Sequence, residues 1–339
     1  MTAKRVLLAC DVGEPLTEDL DALLKTEEWE SERHCYDALI ALGYEVKTLA
    51  IFNDIRPFIE CVADFKPDVI FNQVDHFNNL SLHDRNVAGV CELLNVAYTG
   101  SSPAALMLCK NKALTKELLT AHRIKVPQFT VFNLGKKVTM KRRLRFPQII
   151  KPLSDEASYG IAKASLVMTS EEAIERVKYI HDQCKQDAIA EEYIEGTELY
   201  VSVLGNDRLE VFPIRQCSFP EEEGAPKFAT FKVKWDEEYR KKWGIKYEFA
   251  RLNDARLEKR VKQLAKRIYR ILRLQGYGRL DVRLTAEGHV YVIEANPNPQ
   301  IAKDEDYALS ARKAGYSYEQ LIARIVKYAE DIHPRLIGR

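Results

Sequence analysis

The chain has 339 residues, 46% of them hydrophobic, with 51 basic and 50 acidic side chains. This length is typical of two or three globular units. A net charge of +1 argues against a nucleic-acid groove as the main functional surface. No apolar run reaches the roughly 18 residues that a transmembrane helix needs.

The first apolar run and the cysteines indicate the cellular compartment of the protein. Val6–Cys10 is short and leads directly into acidic sequence, so it predicts a β-strand and not a secretory signal. Seven cysteines are scattered along the chain without a Cys-x-x-Cys pair, which is typical of reduced thiols. We therefore expect a cytoplasmic protein without disulfides, which binds neither nucleic acid nor membranes.

Strands and helices alternate through the first 110 residues. The predicted strands are Val6–Cys10, Glu45–Leu49, Val69–Asn72 and Val96–Ser101, and the predicted helices are Trp29–Leu42, Ile55–Phe65 and Arg85–Leu94. This alternation predicts a parallel sheet in an α/β layer. No Gly-x-Gly-x-x-Gly sequence follows the first strand, so a dinucleotide-binding fold has little support.

A second unit begins near the predicted helix Asn111–Ala121. Its predicted strands are Phe146–Pro152, Ile161–Val167 and Ala188–Ile194. A helix is predicted from Thr169 to Cys184, because acidic residues fill its first turn.

The third unit contains the predicted strands Glu198–Leu204 and Leu209–Ile214 and a closing helix, Tyr318–Ile332. Apolar residues between 257 and 272 follow helical spacing and predict a core-facing helix. Residues 221–244 are charged and without pattern, so we interpret them as a long loop that closes over a site.

Two alternating strands meet at a tight turn, Glu287-Gly288. If that turn is the centre of a hairpin, Asp281 lies opposite Glu294, and Arg279 lies opposite Asn296. Strand side chains repeat every two residues, so these four side chains share one face.

Two facing carboxylates repel each other unless a cation lies between them. Carboxylate and amide oxygens are the ligands that Mg²⁺ takes, together with water and substrate phosphates. Arg279 beside such a metal suits the stabilisation of negative charge in a transition state. The alternative is a surface hairpin with a solvated charged face, and the apolar opposite face of both strands argues against it.

The pattern Arg279-x-Asp281, followed by Glu294-x-Asn296-x-x-Pro299, resembles the metal site of the ATP-grasp carboxylate–amine ligases. It is most similar to the D-alanine–D-alanine ligases and their uncharacterised relatives. This resemblance implies that Asp281, Glu294 and Asn296 hold two Mg²⁺ ions, or Mn²⁺, on ATP. It also implies that Arg279 stabilises a tetrahedral intermediate.

The fold that the resemblance implies is α/β, namely the three-domain ATP-grasp fold. Residues 1–110 would form an N-terminal parallel α/β domain. Residues 111–197 would form the central ATP-grasp subdomain, and residues 198–339 the C-terminal subdomain with the metal site. The last two would be α+β and would clasp ATP between them.

Two lysines are implied to contact the ATP phosphates. Lys112 and Lys116 match the family's Asp-Lys-x-x-x-Lys helix start, in which the first lysine is the phosphate ligand. Lys151 ends a buried strand, where a lysine is costly unless an anion meets it. For either Lys112 or Lys151 alone, a surface lysine with a buried stem is the alternative.

The segment Ser154–Gly160 is similar to the family's phosphate-covering loop and makes Ser158 a candidate catalytic residue. Glu156 and Ala157 stand where a glycine and a serine are usual. Two acids in this loop make it a poorer anion cradle, although its backbone N–H groups can still cover a phosphate.

The strand end Glu191-Glu192-Tyr193-Ile194 resembles the segment that receives adenine. Glu191 would accept a hydrogen bond from the exocyclic amine, and the backbone would pair with the ring edge. Glu198 would bind the ribose hydroxyls. The alternative is an exposed strand end.

Lys234-Trp235 resembles the end of a family loop in which a lysine precedes a tyrosine. Lys234 would reach the γ-phosphate and is a candidate for both catalysis and ATP binding. Trp235 stands in the tyrosine's place, and an indole cannot accept the tyrosine's hydrogen bond, so the closing network must differ. The alternative is a mobile basic loop.

Substrate recognition departs from that of the D-alanine ligases. Glu305-Asp306 stands where those enzymes usually carry a Ser-Leu pair that holds the acceptor carboxylate. Two acids there would repel a carboxylate, unless the loop points away from the site. Glu28, Glu30 or Glu32 is a candidate to bind a substrate ammonium, and a solvated helix face is the alternative for each.

The resemblance therefore implies an ATP-dependent ligase that joins a carboxylate, such as an amino acid, to an amine through an acyl phosphate. The acceptor is expected to differ from D-alanine. A genuine D-alanine–D-alanine ligase of cell-wall synthesis and a non-catalytic ATP-binding regulator are the alternatives. Because the relatives are commonly dimers, a homodimer is possible.

Overall fold

The computed structural model describes residues 3–16, 20–26, 29–140, 144–154, 162–220, 228–230, 232–233, 236–252 and 254–336. Its strands form three sheets, and each sheet takes its strands from one continuous part of the chain. Among the described residues, no helix is both long and apolar enough to cross a membrane. All seven cysteines lie in the described part, no disulfide joins them, and six are buried.

The first sheet is parallel, as predicted, with strand order β2-β1-β3-β4. Its strands are β1 (Arg5–Asp11), β2 (Glu45–Ile51), β3 (Val69–Gln73) and β4 (Ala97–Tyr98). The helices of this part are α1 (Leu20–Leu23), α2 (Glu30–Ala41), α3 (Arg56–Phe65), α4 (Asp84–Leu93) and α5 (Pro103–Lys110). Val6 and Leu8 enter one hydrophobic core, and Leu7 and Ala9 enter another. Burial on both faces explains why β1 is a continuous apolar run.

The second sheet is antiparallel, with strand order β5-β8-β6-β7. Its strands are β5 (Phe129–Phe132), β6 (Gln148–Pro152), β7 (Leu166–Val167) and β8 (Ala188–Glu192), and its part of the chain contains α6 (Lys112–Ala121) and α7 (Ser170–Tyr179). Helix α6 begins at Lys112 because the Asn111 side chain accepts hydrogen bonds from the amides of Ala113 and Leu114. The cap therefore fixes Lys112 in the first turn.

The third sheet has the order β12-β11-β9-β13-β14, with β10 also paired to β9. Its strands are β9 (Thr197–Leu204), β10 (Glu210–Val211), β11 (Arg215–Ser218), β12 (Lys246–Phe249), β13 (Tyr277–Leu284) and β14 (Val290–Asn296). The helices here are α8 (Glu237–Trp243), α9 (Ala255–Ile271), α10 (Asp306–Lys313) and α11 (Tyr318–Leu336). The predicted stripe on α9, which includes Val261 and Ile268, packs on this sheet.

Helix α11 connects distant parts of the chain. Its residues Ile322 and Ile325 lie in the same core as Val6 and Leu8 of β1. The end of the chain therefore packs on the first sheet, and this brings the loop before α10 close to the first sheet as well.

The interpretation of residues 221–244 as a continuous loop is wrong for its last part. Residues 237–243 form helix α8, because Asp236 accepts a hydrogen bond from the Tyr239 amide. Gly244 ends the helix at φ 62°, a left-handed conformation that glycine adopts without strain. Residues 221–227, 231 and 234–235 lie outside the described part, so the closing of this segment stays a prediction.

Three further elements differ from prediction. The return strand predicted at Leu209–Ile214 is shortened to β10, and β11 begins only after its predicted end, at Arg215. The strand predicted at Ile161–Val167 is reduced to β7, after a 3₁₀ turn at Lys163–Ser165. The helix predicted to reach Cys184 is α-helical to Tyr179 and ends in a π-helical turn. Boundaries of this kind depend on packing that local patterns do not contain.

Candidate active site

The strands β13 and β14 form the predicted hairpin. Asp281 pairs with Glu294, and Arg279 pairs with Asn296. The register predicted at the site is therefore confirmed, and both carboxylates lie on one face of the sheet.

The turn of this hairpin differs from the predicted one. Thr285 donates its amide to the carbonyl of His289, so the loop has the three residues Ala286–Gly288. Gly288 has φ 79°, as expected for the last residue of such a loop. A turn of this length alone would place Asp281 opposite Ile293. A β-bulge lies between the pairs Val282–Val292 and Asp281–Glu294. It inserts one extra residue, Ile293, into β14 and so places Asp281 opposite Glu294.

Cations of the chain already neutralise the facing carboxylates. The Arg279 guanidinium binds Asp281 with Nε–Oδ1 and Nη2–Oδ2 distances of 2.8 and 3.0 Å. Burial lowers the pKa of Arg279 and the charge of Asp281 raises it, with a net upward direction. Lys112 Nζ lies 3.5 Å from Oε1 of Glu294. The expected repulsion is thus offset by two ion pairs at the predicted metal ligands.

The donor set fits a hard divalent cation. Two carboxylates and an amide supply oxygen ligands, which suits Mg²⁺ bound largely through phosphates and water. The Nδ2 atom of Asn296 is buried, and no described residue accepts a hydrogen bond from it. Within the described ranges, no group of three or more His, Cys, Asp or Glu side chains could hold a metal ion. A metal here would therefore depend on ligands from a bound substrate.

Lys116, to which the sequence assigned no role, contacts two residues of the site. Lys116 is 1% exposed, and its Nζ lies 3.0 Å from Oε1 of Glu191. It also donates to the carbonyl of Ile293, the bulge residue, at 2.8 Å. The signal was available in the sequence, because residues four apart on a helix, here Lys112 and Lys116, share a face.

Glu191 joins two lysines. Lys151 Nζ lies 3.0 Å from the same Oε1 atom that Lys116 approaches. Burial raises the pKa of Glu191, but the charges of Lys116 and Lys151 lower it further, so the net direction is downward. The carboxylate that was expected to accept from adenine therefore holds a charged lysine pair in this structure.

Glu198 also has partners within the chain. Arg283 Nη2 lies 3.0 Å from one oxygen, and the Tyr200 hydroxyl donates to the other at 2.9 Å. Arg283 further donates to the Tyr193 hydroxyl and to the carbonyls of Ile194 and Gly196. Sequence reasoning missed Arg283, although it lies two residues beyond Asp281 on the same strand.

Two cavities meet at the hairpin. The smaller one, about 70 Å³, brings together most of the predicted nucleotide and metal residues. These are Lys151, Glu191, Glu192, Tyr193, Ile194, Glu198, Asp281 and Glu294. The larger one, about 510 Å³, lies between the first sheet and the hairpin, and its wall includes Arg279, Asn296, Glu305 and Asp306. The loop that carries Glu305 and Asp306 therefore faces the site and does not point away from it.

Some predicted residues are not placed in either cavity. Ser158, Lys234, Trp235 and Glu28 lie outside the described residues. Glu30 lies beside His34 on α2, with Oε1–Nε2 at 3.7 Å. Glu32 is half-buried on α2, and burial, with a smaller effect of the Asp11 charge, raises its pKa. Neither Glu30 nor Glu32 is on the described wall of the larger cavity, so the ammonium-binding residue stays undecided.

One wall of the larger cavity is a stack of rings and guanidinium groups that the sequence did not reveal. Arg279 lies 5.1 Å from the ring centre of Tyr200, which stacks on Tyr247 at 5.9 Å. Arg240 of α8 lies 5.9 Å from the Tyr247 ring on the same stack. This arrangement connects α8 with the predicted catalytic arginine.

Comparisons with known proteins agree with this geometry. Residues 118–327 match the family model described as the D-ala D-ala ligase C-terminus. The uncharacterized protein y4sG of Sinorhizobium fredii is 32% identical over 75% of this chain and 71% of its own length. The D-alanine–D-alanine ligase of Cupriavidus pinatubonensis is 30% identical over 74% of this chain and 73% of its own. The D-alanine–D-alanine ligase of Bacillus anthracis, solved as a complex with ATP, superimposes with a TM-score of 0.76 at 21% identity. That superposition covers 98% of this chain and 99% of the other.

The fold and the paired carboxylates therefore define an ATP-grasp carbon–nitrogen ligase. Within that class, the chain belongs to the D-alanine–D-alanine ligase family. ATP and magnesium are the cofactors of this family. The predicted family and fold class are confirmed, and the roles of individual residues stay predictions.

Proposed function

We propose that the protein activates a carboxylate with ATP and joins it to an amine. A donor carboxylate oxygen attacks the γ-phosphorus of ATP, and ADP leaves with the electron pair of the broken P–O bond. The amine nitrogen then attacks the acyl carbon. The new C–N bond forms, the C–O bond to phosphate breaks, and the proton lost by nitrogen leaves with the phosphate. The facing pair of Asp281 and Glu294, with Arg279 two residues away, is the observation that supports this proposal most directly.

The chain's own cations would neutralise the transferring phosphoryl group. Lys112 and Lys151 are both 4% exposed and border the hairpin side of the site, and Lys234 is the third candidate. Arg279 would stabilise the oxyanion of the tetrahedral intermediate from the floor of the larger cavity. To do so it must share its guanidinium between Asp281 and the oxyanion.

Asp281, Glu294 and Asn296 would hold magnesium, with two ions as the family resemblance implies. Bound magnesium would neutralise phosphate charge. Arg279 and Lys112, which contact Asp281 and Glu294, would lie beside that charge.

The smaller cavity would receive the nucleotide. Glu191 would accept from the adenine amine while it holds Lys151, the backbone of residues 192–194 would pair with the ring edge, and Glu198 would bind the ribose. About 70 Å³ is too small for an adenine ring with its ribose. The cleft must therefore widen when the nucleotide binds. Ser158 would act from the loop that covers the phosphates.

We propose an acceptor other than D-alanine. The carboxylate of Asp306 is paired with Arg215 at 2.8 Å, so it repels less than the sequence alone suggested. Glu305 remains on the cavity wall together with Asp75 and Asp304. Excess negative charge on this wall opposes an acceptor that brings its own carboxylate.

Genuine D-alanine–D-alanine ligation is the second candidate, because several relatives carry that name. The retained Arg279 argues against a non-catalytic ATP-binding regulator, since ATP binding alone needs no oxyanion-stabilising group.

The experiment that tests the proposal measures ADP release from Mg-ATP across a panel of amino acids and other carboxylates, with hydroxylamine as the surrogate acceptor. We expect one carboxylate to give both ADP and a hydroxamate, which identifies the donor. The variant Asp281→Asn should give neither product. Condensation of D-alanine alone, with no other substrate active, would establish the second candidate instead. The possible homodimer also stays a prediction, which light scattering during gel filtration would test.

A further inference from the structure

We propose that the Arg215–Asp306 ion pair selects the acceptor of this ligase: it favours amines without a carboxylate beside the reacting nitrogen, and diamines fit best. This inference rests on the proposed ligase function and names the substrate class for the larger cavity.

The pair is a built feature of the cavity wall. Arg215 belongs to β11 and Asp306 begins α10, and their Nε–Oδ1 distance is 2.8 Å. Their side chains are only 9% and 12% exposed. Arg215 also donates to the carbonyl of Tyr247 at 3.4 Å, and its guanidinium lies 5.0 Å from the Phe249 ring centre. These contacts hold Arg215 in one orientation at the wall.

A buried guanidinium on a substrate cavity is the usual anchor for a substrate carboxylate, because its planar fork binds two oxygens. Here the chain supplies that carboxylate itself, from Asp306. The same carboxylate lies at the first position of α10, where it also matches the positive end of the helix dipole. A substrate carboxylate would have to displace Asp306, and this would leave a half-buried anion without its cation.

The other guanidinium groups of this wall have protein partners as well. Arg279 binds Asp281 through two contacts, and Arg240 donates to the carbonyl of Val233 at 3.2 Å. On the described part of the cavity wall, each arginine therefore already has an acceptor within the chain. The cavity has the steric room for an amino acid, about 510 Å³, but a substrate carboxylate would have to compete with these acceptors for each described guanidinium group.

The formal charge of the described wall is negative. It carries five carboxylates against three guanidinium groups and the imidazole of His76; the carboxylates are those of Asp75, Asp84, Asp304, Glu305 and Asp306. A second ammonium group on the acceptor would gain from these charges, whereas a carboxylate would be repelled by them. A diamine offers one nitrogen for attack on the acyl phosphate and one cation for this wall.

The test compares acceptors that differ only by a carboxylate. The pairs are 1,4-diaminobutane with ornithine, and ethylamine with D-alanine, each with Mg-ATP and the donor found in the hydroxylamine assay. We expect kcat/KM to be at least about tenfold higher for the member without a carboxylate, and highest for 1,4-diaminobutane. Equal or higher kcat/KM for ornithine and D-alanine would overturn the inference, while continued hydroxamate formation would leave the ligase function intact.

Variants test the pair itself. Asp306→Asn keeps the shape but frees Arg215, so the preference against ornithine should shrink by at least about tenfold. Arg215→Met combined with Asp306→Asn should not gain ornithine, because the anchor is gone. Asp54→Asn breaks an exposed Asp–Arg pair, with Arg56, neither of which lines the cavity, and is the control for loss of such a pair. If Asp306→Asn and the double variant behave alike, Arg215 is not the anchor and the inference fails.

A binding measurement separates the inference from the reaction. The thermal unfolding midpoint of the wild-type chain is measured with a non-hydrolysable ATP analogue and magnesium, with either 1,4-diaminobutane or ornithine added. We expect only the diamine to raise the midpoint. Equal stabilisation by ornithine would refute the inference even if no carboxylate were activated, whereas absence of hydroxamate counts only against the proposed ligase function.

Discussion

The bulge in β14 makes Lys116 the residue whose replacement should separate stability from activity most clearly. Lys116→Met keeps the length of the side chain and removes its ammonium group. The change removes one cation from Glu191 and the hydrogen bond to the carbonyl of Ile293. That carbonyl belongs to the residue which restores the pairing of Asp281 with Glu294.

The expected change in stability is small because two effects oppose each other. Burial lowers the pKa of Lys116 to about 8, against an ordinary value of 10.5. At pH 7, keeping the lysine charged in the folded state therefore costs about 3 kcal/mol of unfolding free energy. Methionine removes that cost, but the partly buried hydrogen bond to the Ile293 carbonyl is lost, which costs about 1–3 kcal/mol, and Glu191 keeps Lys151 as its remaining lysine. We expect the free energy of unfolding to change by less than about 2 kcal/mol.

The expected change in activity is large. Without the hydrogen bond to Ile293, β14 can shift toward the register that the three-residue turn prefers, in which Asp281 faces Ile293 and not Glu294. Loss of groups that orient metal ligands typically costs about 10–100-fold in metal affinity or activity. We therefore expect ADP release to fall by that factor and to require more magnesium.

The assay combines urea unfolding at pH 7 with a magnesium titration of ADP release. Lys125→Met is the matched control. Lys125 is exposed, and its Nζ lies 5.7 Å from the ring centre of Tyr291, which belongs to β14 as Ile293 does. We expect the control to retain the wild-type magnesium dependence. A Lys116→Met protein with turnover and magnesium dependence within about twofold of wild type would refute the link between Lys116 and the bulge.

Three further predictions concern other residues that line the two cavities. Asp281→Asn should lower magnesium-dependent ADP release by at least about 100-fold; persistent activity would show that the metal assignment is wrong. Arg283→Met should lower the free energy of unfolding by about 3 kcal/mol, because it leaves Glu198 buried without its cation; a loss below about 1 kcal/mol in urea would contradict this. A hydrogen bond to Asp11 raises the pKa of His76, so its stabilising effect is present below its unfolded pKa of about 6.5 and is lost as the pH rises through the folded pKa. The stability difference between wild type and His76→Asn should therefore be larger at low pH than at high pH, and a pH-independent difference would count against the pair.

Local patterns in the sequence were enough to predict the geometry of the hairpin and the type of the first sheet. Alternation along β13 and β14 predicted that Arg279, Asp281, Glu294 and Asn296 share a face, because side chains of a strand repeat every two residues. The parallel first sheet was predicted from the alternation of strands and helices, because a helix between two strands lets them run in the same direction. The helix predicted at Asn111–Ala121 likewise placed Lys112 in a first turn, although the cap formed by Asn111 was seen only in the structure.

Contacts between groups that are distant along the chain depend on tertiary packing. The turn predicted at Glu287-Gly288 was one residue too short, and the register at the site was right because a bulge at Ile293 compensates. Lys116 reaches that bulge across 177 positions of chain, and no periodic pattern encodes such a contact.

The acceptor side of the site shows the same division. Glu305-Asp306 looked like a doubly charged obstacle in the sequence, since charge is the property that the sequence states. In the fold, Arg215 arrives from β11, 91 positions away, and neutralises Asp306. The meaning of a charged residue depends on the partner that packing brings to it, because Coulomb interactions act over a few ångströms of space and not along the chain.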